Sequence, residues 1–130
     1  MTTGLHAANL AHQWLSLLRN VPVTERANIY VKLHTGDPGA NGTANASSVV
    51  TRPEVTFAAP ANGSMAANNT PSWANWAGTN GEVVTHISIW DSATAGSLQF
   101  SVPLSASKTI NTGDTLNLSS LTFALTPIAA

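Results

Sequence analysis

The chain has 130 residues, of which 43% are apolar and only 8% charged, with a net charge of −1 and no cysteine. That size fits one domain with a real core, and the apolar share excludes a disordered chain. The absent cysteine excludes a disulfide frame or a thiolate metal site, and the scattered Arg19, Arg26, Lys32, Arg52 and Lys108 offer no concentrated basic footprint for nucleic acid.

In chain order, the first predicted element is a helix. Leu10, Trp14, Leu17 and Leu18 recur at i, i+4, i+7 and i+8, which sets them on one stripe. Thr2 or Thr3 can cap its start, and Asn20 and Pro22 end it. The stripe is expected to dock on the sheet that follows, with docking on a neighbouring subunit as the alternative. The opening residues lack the basic stretch and small-residue cleavage site of a signal peptide. The expected product is made in a cytoplasm and stays there or leaves inside a particle. No apolar run approaches the roughly 18 residues of a membrane helix, so no membrane partner is expected.

After Pro22 the period changes to two. Ile29, Val31 and Leu33 alternate with Tyr30, Lys32 and His34, the pattern of a half-buried strand. Val55 and Phe57 lie two apart, and Val83, Thr85, Ile87 and Ile89 are predicted to share one strand face opposite Val84, His86, Ser88 and Trp90. "SLQFSVPL", "KTINTGDTLNL" and "LTFALT" continue the alternation. "SATAGS" is a predicted hairpin loop, and "NTGD" a tighter one joining strands at Ile110 and Leu116. Strands parted by Gly, Asn, Ser and Pro clusters predict an all-β fold, an antiparallel, jelly-roll-like β-sandwich over residues 23–130, behind a short amphipathic helix within residues 1–22.

The stretch from Ala58 to Gly81 has no charged residue and two tryptophans, Trp73 and Trp76. Structureless loops of that length are uncommon in a compact domain, so it is expected to be held by packing, with a short strand near Met65. The two indoles either plug the end of the sandwich or anchor an interface, since buried aromatics serve both roles. Trp73, Trp76, Trp14 and Leu17 are therefore the candidate interface residues.

Chemistry is poorly signalled. In "LHTGDPG", Pro38 fixes φ and Gly39 accepts φ > 0, so Asp37-Pro38-Gly39 predicts a turn in which Asp37 bonds the backbone two residues on. His34 has no carboxylate at a dyad spacing. His6 and His12 are not three or four apart, and no H-x-H or H-E-x-x-H occurs. There is no G-x-S-x-G and no phosphate-binding glycine loop ahead of a helix. No catalytic, metal-binding or cofactor-binding residue is predicted, and no enzymatic activity.

Four phrases together, "LHTGDPG", "TRPEVTF", "VTHISIWD" and "KTINTGDTL", resemble small phage structural proteins of the tail-fibre-like type from phages of actinobacteria and related hosts. The resemblance spans Ile29 to Thr126; where the family often has Tyr or Ala before the arginine, this chain has Thr51. It implies a virion protein acting through surface contacts, as a fibre component or as a capsid decoration or cement protein. The charge share is well under the roughly 25% of an average soluble protein, and a monomer relies on surface charge to stay soluble. Neighbours are therefore expected to cover much of the surface: copies of the chain itself, with a trimer expected by analogy to phage fibre and decoration proteins, and other virion chains such as the major capsid or tail proteins. The rival from another class is a host-glycan-binding module with Trp73 and Trp76 as stacking platforms.

Overall fold

The structure, a computed structural model, describes residues 3–125. It is the all-β antiparallel sandwich with one short N-terminal helix that the alternation predicts. Strand β1 (Gly4–Leu5) opens the chain, followed by a π-helical turn (Ala7–Ala11) that runs into α1 (His12–Leu18). The remaining strands are β2 (Ile29–His34), β3 (Glu54–Val55), β4 (Ser64–Ala66), β5 (Ser72–Trp73), β6 (Glu82–Trp90), β7 (Leu98–Ile110), β8 (Leu116–Asn117) and β9 (Thr122–Ala124). One five-stranded sheet has the order β1-β7-β6-β2-β3, and two small pairs, β4-β9 and β5-β8, make the opposing layer.

The inner face of the large sheet carries Val31 and Leu33 from β2, Ile87 and Ile89 from β6, and Phe100 from β7. Trp73 of β5 and Trp76 just beyond it meet them from the opposing layer. Burying each such aliphatic side chain stabilises the fold by about 1.5–3 kcal/mol. The strand expected near Met65 is β4, paired with β9 through Met65 opposite Phe123.

Three sequence expectations need correction. Along β6 the predicted face set of Val83, Thr85, Ile87 and Ile89 breaks, because the β6–β7 register shifts between Val84 and His86. The irregularity moves Val84 into the core with Ile87 and Ile89 and leaves Val83 outside. "NTGD" does turn the chain, with the Asp114 N–H donating to the Asn111 carbonyl. The strand after it, β8, pairs with β5 rather than back onto β7, so the turn crosses from one layer to the other. The helix begins later than a Thr2 or Thr3 cap requires: His6 is the N-cap, its Nδ1 accepting from the Asn9 N–H. Thr2 lies outside the described residues. Asn20, at φ 57, closes the helix as a left-handed cap.

Around His34, Trp90 and Leu98 the outer face of the large sheet is covered by part of the chain between β2 and β3. Thr35 to Asn45 forms a compact loop whose ends meet, Thr35 N–H donating to the Asn45 carbonyl at 2.8 Å and His34 bridging to Ala46. The Asp37 Oδ1 accepts from the Gly39 N–H at 2.9 Å, the local bond expected of that turn. Gly42, at φ +67, lets the loop lie directly on the sheet, where an added Cβ would sit 2.9 Å from both Leu98 Cδ1 and Trp90 Cζ2.

Candidate functional site

The histidine of the sequence's most chemically suggestive phrase is fully buried beneath this loop. Strand alternation puts His34 on the outer face of β2, beside Ser88 of β6. Its Nδ1 lies 2.9 Å from the Ala44 carbonyl and its Nε2 2.7 Å from Ser88 Oγ, which also receives the Trp90 indole N–H at 2.8 Å. These partners assign the protons. A carbonyl only accepts, so Nδ1 carries the hydrogen. An indole only donates, so the Ser88 hydroxyl accepts it and passes its own hydrogen to a bare Nε2. The chain of bonds is complete only with a neutral imidazole. Burial, outweighing the Ala44 bond, holds the His34 pKa below its ordinary value, with Lys32 and His86 adding to the effect. A buried, satisfied histidine reaches no substrate; this group locks the loop to the sheet.

A second polar lock holds the far end of the same segment. Ser47 Oγ donates to the Glu82 carboxylate, and the Ser48 N–H donates to its Oε2 at 3.1 Å. Partial burial alone would raise the Glu82 carboxyl, but the bonds from Ser47 and Ser48 outweigh it and hold its pKa below the usual range. Among the described residues no group of three His, Asp or Glu side chains could hold a metal ion.

The candidate interface residues divide. Trp73 is 4% and Trp76 1% exposed, both inside the core of their own chain. Trp73 Nε1 donates to the Thr51 carbonyl at 2.9 Å and Trp76 Nε1 to the Thr79 carbonyl at 3.2 Å, so each buried indole is satisfied. With both rings enclosed, neither offers a face on which a sugar could stack. Trp14 packs edge-on against Phe123, ring centroids 5.6 Å apart, and helps line an apolar cavity of about 180 Å³ under the helix.

Leu17 does not dock. It is 60% exposed and Leu18 87%, with Leu15 and Val21 also open. The predicted stripe holds only through Leu10 and Trp14. The π-helical turn lies against β7, whereas the last turn of α1 leaves Leu17 and Leu18 open to solvent. The stripe itself cannot reveal that, because periodicity marks a face and not what covers it. A second open apolar feature was not legible at all: a groove of about 290 Å³ between β7 and the β8–β9 segment, lined in part by Leu33, Trp73, Leu104, Leu116 and Leu121.

The family model described as podophage GP4 fiber I protein gp80 matches residues 6–126. The chain belongs to that family. No curated protein matches it. Family membership makes it a phage fibre-type structural protein, and the match takes in the helix, both layers of the sandwich and the loop over His34. A fibre-type protein works by being held in place and holding others, which fits a site made of open apolar surface rather than of reactive groups.

Proposed function

We propose that this fibre-family chain is a non-enzymatic structural component of the virion that assembles with copies of itself and with neighbouring virion proteins, its principal contact being the open end of α1. The exposed Leu15, Leu17 and Leu18 carry this reading. Three large apolar side chains within four residues, on a chain with 8% charge, are a surface that water solvates poorly. Trp14 and Leu17 act there in different ways: Trp14 fixes the helix to Phe123, and Leu17 makes the contact. Trp73 and Trp76 contribute from inside, holding the uncharged segment between residues 62 and 81 in one shape so that it can pack against a neighbour at little entropic cost. A trimer is the proposed state, and a fibre position on the tail is preferred to a capsid decoration role because the family is a fibre family.

A density map of the intact virion tests this. The account expects the chain in clustered copies in a tail fibre, with α1 against another chain. Isolated copies on the head, with α1 facing solvent, would overturn it.

A further inference from the structure

We propose that Lys32 and Arg52 form a binding site for an oxyanion, a phosphate or carboxylate group, on the outer face of the large sheet beside Trp90. Two of the cations that look scattered in the sequence, Lys32 and Arg52, are neighbours in space. Tyr30 pairs with Glu54 across β2 and β3, and the Val31 N–H donates to the Pro53 carbonyl. Carrying that register one pair further sets Arg52 opposite Lys32. Both lie over one indole, the Arg52 guanidinium carbon 4.2 Å and Lys32 Nζ 5.7 Å from the Trp90 ring. The two charges are therefore within about one Debye length of each other at 0.1 M salt.

Like charges facing across a strand pair destabilise it, and among the described residues no carboxylate lies within 4.0 Å of either one. Among the described residues the one cation–carboxylate contact within 4.0 Å joins Arg26 to Asp91. Glu54, the nearest acid by register, accepts from Asn28 instead. Burial, and then the Arg52 charge, lower the Lys32 pKa.

The donors are also unspent. Among the described residues Arg52 donates only through NH1, to the Ser92 carbonyl at 3.2 Å and the Ala95 carbonyl at 2.8 Å. Those bonds fix the plane of the guanidinium and leave its Nε–H and NH2 edge, the pair of parallel donors that suits two oxygens of one anion. Lys32 Nζ has no hydrogen-bond partner among the described residues. Trp90 is held from behind by Ser88, so the floor is rigid. A preorganised fork, a second cation beside it and no counter-ion among the described residues together favour an anion with at least two oxygens.

The test is a ¹H–¹⁵N titration of the full chain with sodium phosphate, sodium acetate and sodium chloride at matched ionic strength, following the Trp90 indole N–H, assigned with Trp90→Phe. The site predicts a saturable shift with phosphate, acetate or both, and the tighter of the two names the preferred oxyanion. Lys32→Met keeps the stem and removes one charge-assisted contact, so it should weaken that binding about tenfold without unfolding the chain. Arg52→Gln should weaken it at least as much, but it also releases the loop at Ser92. Shifts no larger than those with chloride, or full affinity in a folded Lys32→Met variant, would overturn the proposal.

Discussion

Two clusters of large apolar side chains sit at different places in this molecule and have opposite fates. Around Trp73 and Trp76 they are enclosed by two layers, and each indole nitrogen has a carbonyl partner. At the end of α1, Leu15, Leu17 and Leu18 stand in the open. The same driving force acts on both, since burial of apolar surface has no direction and no preferred partner. What differs is geometry. The first cluster lies where the opposing layer closes over the large sheet, and the second lies on the last turns of α1, where these side chains stay exposed. Apolar surface left over in this way, on a chain too poor in charge to compensate, is what an assembling protein presents to its neighbours.

The largest effect is expected at the enclosed cluster. Trp76→Ala should remove about 3–5 kcal/mol of stability, through lost burial and the cavity left behind. Urea denaturation of the isolated chain checks this. A folded variant of unchanged midpoint that fails only in assembly would move Trp76 from core to interface. Next in size is Gly42→Ala. Its left-handed backbone and the 2.9 Å approach to Trp90 and Leu98 predict a loss of about 1–3 kcal/mol, measured in the same way. A neutral result would mean that the loop does not rest on the sheet.

The polar groups under the β2–β3 loop respond to pH. His34 has a folded pKa below its ordinary 6.5. It therefore contributes stability that is fully present above about pH 6.5 and lost as pH falls through the folded value. Glu82 has the same sign lower down, its contribution present above its ordinary 4.5 and lost as pH falls below that. Denaturation midpoints should thus decline in two stages on acidification. His34→Gln should abolish the first stage and keep the second. A wild-type profile flat from pH 7 to pH 5 would contradict the neutral, buried imidazole.

Much of the fold was legible in the sequence because strand alternation and turn chemistry are local. Ile29 to His34, the Asp37-Pro38-Gly39 turn and the strand near Met65 all follow from a few adjacent residues. What was not legible depends on partners far along the chain. Nothing near Thr85 signals the bulge that puts Val84 rather than Val83 in the core, because the mismatch is set against β7. "NTGD" specifies a turn and not which strand its far side will meet. Lys32 and Arg52 are 20 positions apart and become neighbours only once β3 is paired with β2. For the candidate contact surface, the sequence offered a stripe from Leu10 to Leu18, and only the tertiary packing decides that Leu10 and Trp14 dock while Leu17 and Leu18 do not.

The open cluster should respond in the opposite sense to the enclosed one. Leu17→Asn with Leu18→Asn removes two exposed side chains on the last turn of α1, so the stability of the isolated chain should change by no more than about 0.5 kcal/mol per site. Its effect belongs to assembly. The most direct test of the central claim is therefore light scattering after size-exclusion chromatography, comparing the natural chain with this double variant. The account predicts a homo-oligomer, with three times the 13.4 kDa chain mass as the expected value, that falls to a folded monomer in the variant. A natural chain that runs as a monomer at high concentration, or a variant that assembles as fully as the natural one, would contradict it.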